Sequence, residues 1–328
     1  MLDAGTRSRL HTPLCDLLKI DLPIIQAPIG SATCPALAAA VSNAGGLGTL
    51  AISWTEPDAI EEQLNETRRL TARPFGVNLV LAQPVGRRFE ICLAHRVPVV
   101  LFSWGEAAPF VRQAKDSGLL VGQTVGDPAE AKHAASMGVD FVVAQGWEAG
   151  GHVVGRIASM PLIPSVVDAI NPIPVVAAGG IGDGRGIAAA LVLGASGAAL
   201  GTRFLATEEA VVHPIYKERI IHANATDTEY GCIFDRGWPE APHRVLRNET
   251  TAMARSPGQR AGEDDPIAFL RDGSPVYRYS DVIPLPDMAG DVEALALYAG
   301  QSVGLISNIK PAGEVVHELA SAAAKALR

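Results

Sequence analysis

Cysteine is scarce in this chain of 328 residues: only Cys15, Cys34, Cys92 and Cys232 occur. They form no CxxC pair, and no histidine stands at metal-ligand spacing from any of them, so neither a disulfide framework nor a metal centre is expected. Three of the four sit in apolar surroundings, where a buried free thiol is the expected state, and a reducing compartment fits. Basic runs are lacking as well. With a formal net charge of −8, an extended nucleic-acid surface is excluded, and the acidic balance favours solubility. No stretch of 18 uncharged apolar residues occurs, and the N-terminal Met1-Leu-Asp-Ala-Gly-Thr-Arg7 has no apolar leader core. The expectation is a cytoplasmic protein without membrane or nucleic-acid partners; a homo-oligomer is left open. What the chain has in abundance is hydrophobic residues (48%) and glycine (33 residues), the composition of a well-buried globular fold.

Short apolar runs recur along the first two thirds: 23–28, 48–52, 75–79, 97–102, 119–123, 140–144, 174–178 and 198–201. Most of their starts lie roughly 20–27 residues apart, the length of a strand, a helix and two loops. Helix-like segments fill the gaps at 35–43, 57–70, 107–117, 128–137, 160–170 and 184–193, several opening on a proline or a capping side chain. Near-continuous apolar strands alternating with helices predict a parallel sheet buried on both faces, and eight such units close a (β/α)8 TIM barrel of the α/β class. After Arg203 the rhythm stops. Residues 208–295 are expected to form a smaller, partly helical subdomain inserted after strand eight. Residues 1–207 would then be the barrel, and helices in 296–328 would pack back on it.

In such barrels the chemistry sits at the C-terminal ends of the strands. The residues there are small, amide or hydroxyl-bearing, with almost no charge, which suits an uncharged planar ligand better than a metal. Two exits stand out: Ala177-Ala-Gly-Gly-Ile-Gly-Asp-Gly-Arg185 and Leu200-Gly-Thr-Arg203. Glycine turns after strands seven and eight form the common phosphate cup of these barrels. A Rossmann fingerprint is not matched, because Arg185 occupies the third-glycine position counted from Gly180. Gln145-Gly-Trp-Glu-Ala-Gly-Gly-His152, after strand six, combines a backbone cradle with a histidine suited to proton handling near neutral pH. Glu148 reads as a loop-ordering carboxylate, and His213, His222, His243 and His317 as structural. Trp54, Trp104 and Trp147 follow strands two, four and six, where they either wall an apolar substrate pocket or plug the barrel top.

Several of these segments resemble the nitronate monooxygenases: Pro23-Ile-Ile-Gln-Ala-Pro28, Ala40-Val-Ser-Asn-Ala-Gly-Gly-Leu-Gly48, Arg73-Pro-Phe-Gly-Val-Asn78, the 145–152 loop, Ala178-Gly-Gly-Ile181, Gly201-Thr-Arg-Phe204 and Ala299-Gly-Gln-Ser-Val-Gly304. FMN-dependent enoyl-acyl-carrier-protein reductases share nearly all of them. The resemblance implies a barrel holding FMN without a covalent link. The Ala27 backbone, Asn78, Gln123 and Gln145 would contact the ring or ribityl chain, and Gly150, Gly151, Gly179, Gly180, Gly201 and Thr202 would hold the phosphate end. His152 would meet the nitro group or take its α-proton, with Trp104 and Tyr298 near the substrate. Two positions depart from the family pattern. Gln123 stands where many flavin barrels have a lysine, and Tyr298 where some members have a serine.

The implied activity is oxidation of alkyl nitronates or nitroalkanes with O2 to carbonyl compounds and nitrite. One rival is an NAD(P)H-dependent FMN reductase of enoyl thioesters or quinones. For that rival, Arg236, Arg244 and Arg247 either bind an anionic substrate or make internal ion pairs. The other is a barrel that holds FMN or a phosphorylated ligand without turnover.

Overall fold

The computed structural model describes residues 4–254 and 260–328. Met1-Leu2-Asp3, the start of the segment read as lacking a leader core, and residues 255–259 of the expected subdomain lie outside the described residues. Fourteen strands occur among the described residues: β1 (Ile24–Gln26), β2 (Gly48–Ala51), β3 (Phe75–Val80), β4 (Val99–Ser103), β5 (Leu120–Val125), β6 (Phe141–Gln145), β7 (Gly151–His152), β8 (Val175–Ala178), β9 (Gly197–Leu200), β10 (Thr228–Gly231), β11 (His243–Leu246), β12 (Pro266–Phe269), β13 (Pro275–Tyr277) and β14 (Ala289–Gly290). Eight of them make one sheet in the order β1-β9-β8-β6-β5-β4-β3-β2, with every pairing parallel. Its two end strands meet. Gln26 donates its N–H to Leu47 O at 2.9 Å, and the Leu47 N–H donates to Ile24 O at 2.9 Å. That seam closes the (β/α)8 barrel that the alternation predicts.

All eight expected barrel strands are present, with no end displaced by more than two residues. Between the barrel strands one helix, Gly86–Ala94, was not among those expected, and the short helices Ala4–Leu10, Pro13–Leu18 and Thr202–Leu205 add to the pattern outside them. The helix Gly86–Ala94 follows Pro84, opens on a glycine, and its N-cap Val85 makes no side-chain capping bond, so the sequence there reads as a loop.

The strand faces divide cleanly. Ile25, Val99, Leu101, Phe141, Val143, Val176 and Ala199 point to the barrel axis and pack with Leu14, Cys15 and Leu18 of the helix Pro13–Leu18. The alternate residues, among them Val77, Val100, Phe102, Val121, Val125 and Val142, lie under the surrounding helices. All four cysteines are free thiols; Cys15 and Cys92 are buried and Cys232 is exposed. No helix among the described residues is long and apolar enough to cross a membrane.

The region after the barrel carries the helix Pro214–His222 but also two small sheets, β10-β11-β7 and β13-β12-β14. Their strands are two to four residues long, too short to show an alternating pattern in sequence. One member, β7, comes from the loop after β6, so the added region is stitched to the barrel mouth through a shared antiparallel sheet. The C-terminal helix Ala312–Ala326 packs on the helices Gly184–Val192, Pro35–Asn43 and Ala4–Leu10.

Gly48 shows how tightly the barrel wall is built. The helix Pro35–Asn43 crosses so close to β2 that a methyl group at Gly48 would overlap the Ala38 carbonyl. Backbone cannot give way as a side-chain tip can. Gly48→Ala is therefore expected to lower stability by about 1–3 kcal/mol, seen as an earlier urea unfolding midpoint. An unchanged midpoint would show that this helix moves freely over the strand.

Candidate active site

At the C-terminal mouth of the barrel the inward-facing side chains are uncharged. Asn78 donates Nδ2–H to Leu101 O at 3.0 Å and to Ser103 Oγ at 3.4 Å, and is almost fully buried. Ala27 packs against the inward-facing cluster, and its N–H donates to Leu200 O at 2.9 Å. Gln26, beside it, is fully buried: Oε1 accepts from the Thr49 N–H at 2.9 Å, and Nε2 donates to the Ala27 carbonyl.

Gln123 departs from expectation. Register pairs it with Phe102 and Val142, both under the helices, so its side chain lies on the helix side of the sheet. A strand alternates faces residue by residue, and the neighbour that faces the axis is Thr124, paired with inward-facing Val143. Gln123 is therefore corrected from a ring contact to a residue of the helix–sheet layer. Its Oε1 is buried without a hydrogen-bond partner, for which the structure offers no physical account.

The loop after β6 is tied down along its length. Gln145 donates Nε2–H to His152 O at 3.1 Å and accepts from the Val154 N–H at 2.9 Å, so both ends of its amide order the loop. Glu148 accepts from Ser159 N–H at 2.9 Å and Ser159 Oγ–H at 3.1 Å, the ordering role read from sequence. Gly151 and His152 pair with Arg244 and His243 of β11. Gly150 lies against the backbone of Ala299 and Gly300, where a Cβ would overlap both. Thr202 closes the same corner by accepting the Gly300 N–H at 3.0 Å.

His152 stands among rings. Trp238 is nearly stacked on it (4.3 Å between centroids, 30°), Trp104 meets it edge-on at 6.2 Å, and His243 and Tyr298 lie at 5.3 and 5.4 Å. Its Nε2 is buried and has no hydrogen-bond partner in the protein. Burial pushes its pKa down to about 3, and His243 adds to the shift. His243 is itself held neutral: Nε2 accepts the Phe234 N–H at 3.0 Å, which leaves Nδ1 to donate to Ala241 O at 2.9 Å. Burial lowers its pKa too. Tyr298 donates its hydroxyl to Asp281 O at 3.2 Å.

The three tryptophans read from sequence separate. Trp54 and Trp104 join Trp238, at 6.1 and 5.0 Å. Trp147 turns away and carries the Arg244 guanidinium 4.4 Å above its ring. Arg244 is buried, and the other two arginines are also engaged internally: Arg236 lies over Tyr277 and donates to Glu263 O, and Arg247 pairs with Glu229 at 3.9 Å. After β8, Gly179 and Gly180 adopt φ of +89° and +73°, a backbone that glycine alone takes without strain, and Gly180 is exposed. Beside it lies a cavity of about 590 Å³ lined by Glu148, Gly180, Thr226, Gln301 and Ser302. Gly201 leads directly into the helix Thr202–Leu205.

The profile of the family described as nitronate monooxygenase matches residues 11–87 and 82–322. The chain belongs to the nitronate monooxygenase family. A curated relative from Mycobacterium tuberculosis, a (3aS,4S,5R,7aS)-5-hydroxy-7a-methyl-1-oxo-octahydro-1H-indene-4-carboxyl-CoA dehydrogenase, is 36% identical over 277 residues, covering 84% of this chain and 76% of the relative. The solved structure of FabK from Thermotoga maritima superposes with a TM-score of 0.82 at 35% identity, over 96% of each chain. A nitroalkane oxidase from Streptomyces ansochromogenes gives 0.78 at 31% identity, over 95% of this chain and 98% of that one. The protein is thus an oxidoreductase, in a family of flavoproteins.

The residues present fit a flavin. A neutral mouth with Asn78, Ser103 and Thr124 suits an uncharged ring, the glycine turn after β8 leaves backbone open for a phosphate, and the orphaned His152 Nε2 asks for a partner from a ligand. Among the described residues no group of His, Cys, Asp or Glu could hold a metal ion. Sequence reasoning missed Trp238, although the segment Phe234-Asp-Arg-Gly-Trp-Pro239 that holds it is visibly rich in rings. It also left His243 without a place near His152, since only the strand pairing reveals that proximity.

The low pKa of His152 has a thermodynamic consequence. The ordinary value is 6.5, so the unfolded chain binds more protons than the folded one between that pH and about 3. The stability is complete above pH 6.5 and is lost as the pH falls. Histidine NMR of the folded protein should show His152 neutral from pH 8 to 5, and His152→Phe should reduce the acid loss of stability between pH 7 and 5 by about 2 kcal/mol. A His152 resonance titrating near 6.5 would contradict this account.

Proposed function

We propose that the protein binds FMN and oxidises nitronates with O2, giving carbonyl compounds and nitrite. The observation that carries the reading is the neutral, ring-enclosed His152 with an unpartnered Nε2 at the barrel mouth. Membership of the nitronate monooxygenase family supports it, as does the likeness to the nitroalkane oxidase. Asn78, Ser103 and Thr124 would line the ring, and the backbone at Gly179, Gly180 and Gly201 would hold the phosphate end. FMN supplies the electron-accepting chemistry when bound.

An imidazole whose pKa has fallen to about 3 is a weak base, poorly matched to pulling an α-proton from a neutral nitroalkane. It is well placed to donate a hydrogen bond to an oxygen of a nitronate, which arrives already deprotonated. The negative charge of that substrate would raise the imidazole pKa and strengthen the bond. His152 is therefore assigned as the group that holds and polarises the nitronate, and the nitronate rather than the nitroalkane as the substrate form.

A second reading, an NAD(P)H-dependent reductase of thioesters, is favoured by one finding: the curated relative is a CoA-ester dehydrogenase. Two measurements decide. The purified protein should show a flavin spectrum that a nitronate bleaches without oxygen, while NADH and NADPH leave it unchanged. Fast bleaching by a nicotinamide would transfer the proposal to the second reading, and a colourless protein that FMN cannot reconstitute would remove both. His152→Ala with unchanged FMN content should cut nitronate turnover by about 10²–10⁴; near-normal turnover would take His152 out of the chemistry.

A further inference from the structure

Trp54, Trp238 and Trp104 make a continuous line of indoles from the rim of the mouth to His152. Trp54 is 43% exposed, whereas Trp238 is 9% exposed and touches both other indoles as well as the imidazole. What is informative is not the exposure of Trp54 alone but its continuity with two further indoles, which makes one aromatic surface running from the rim to His152.

The line is held at its inner end and at its middle. Trp104 sits at φ +59°, a left-handed backbone that a bulky residue adopts only where its surroundings impose it. Trp238 lies in a segment fixed by hydrogen bonds from Arg236 N–H to Tyr279 O and from Asp281 N–H to Arg236 O. A fixed aromatic surface beside His152 gives the mouth a wall of defined shape.

We propose that this line selects substrates whose carbon skeleton is a flat aromatic or fused-ring group, in preference to short aliphatic chains. Trp238 and Trp54 are its specificity-determining residues. The physical reason is that indole faces and edges reward another π-system by quadrupole contacts that an alkyl chain cannot make. The inference rests on the functional reading for its choice of reacting group, and on the indoles alone for its choice of skeleton.

The test has two arms on the flavin-loaded protein. In the first, kcat/KM is compared for the anions of phenylnitromethane and of 1-nitropropane. The aryl substrate should be favoured about tenfold or more. Trp238→Leu and Trp54→Leu should each reduce that ratio by about 2- to 13-fold, the size of one aromatic contact, while Trp238→Phe retains most of it. In the second arm, binding of 2-naphthol and of 1-hexanol is followed through tryptophan emission. Naphthol should bind more tightly and weaken in the same order of variants, with hexanol unaffected. Trp54→Leu alters an exposed side chain, so a folding failure at position 238 leaves the test intact. Naphthol binding that follows the variants without turnover of either nitronate supports the indole line and sinks the nitronate reading. Nitronate turnover without aryl preference, together with naphthol binding that ignores both leucine variants, overturns the indole line alone.

Discussion

The antiparallel pairing of Gly151–His152 with His243–Arg244 is the constraint on which the mouth of this barrel depends. Without it the loop after β6 would be a glycine-rich excursion with few reasons to hold one shape. With it, the loop becomes a strand of a second sheet, and the imidazole of His152 is delivered against His243, Trp238 and Tyr298. The contacts around it follow from that pairing. Gln145 can bond both His152 O and Val154 N–H only because the loop returns past its own strand end. Gly150 must lack a side chain because the segment Ala299–Gly300 crosses it there.

Burying this pairing removes charge from the chemistry. His152 and His243 are both more easily kept neutral than protonated, because burial penalises a cation at each, and at His152 the neighbouring His243 adds to the penalty. The buried cation Arg244 is screened by ring faces rather than by a close carboxylate: Trp147 lies 4.4 Å from it and Tyr230 5.5 Å, and its Nη2 donates to Trp147 O at 3.1 Å. That arrangement tethers the Trp147 end of the loop to β11 while its strand pairing tethers the His152 end. Arg244 follows His243 on β11, so the two side chains leave opposite faces of the small sheet.

The barrel was legible because its signals are local. Eight apolar runs, prolines at helix starts and glycines at strand exits each act within a few residues, and the structure carries a strand for every run. The site was legible only in part, for three separate reasons. Gln123 was assigned to the wrong face because a strand has a period of two, and a displacement of one residue exchanges the axis for the helices; Thr124 has the inward place. Trp238 and His243 were not placed because their neighbours are contacts between segments about ninety residues apart, created by strands too short to leave a pattern. The helix Gly86–Ala94 was missed because its start lacks any capping side chain.

A division of labour between the two parts of the chain follows from these positions. The strand ends present amides, hydroxyls and bare backbone, groups that would hold a flat ring and a phosphate whatever is later oxidised or reduced upon it. The rings closest to His152 come mostly from beyond residue 208: Trp238, His243 and Tyr298, with Trp104 alone supplied by a barrel strand end. A barrel of this kind can therefore be shared among relatives with different reactions, as the nitroalkane oxidase and the CoA-ester dehydrogenase among its similar proteins illustrate. The proposed role of the indole line assigns substrate choice to the place where the added region folds over the mouth. That region is joined to the barrel through β7, so a change in the segment bearing Trp238 reaches His152 directly while leaving the eight parallel strands and their glycine turns as they are.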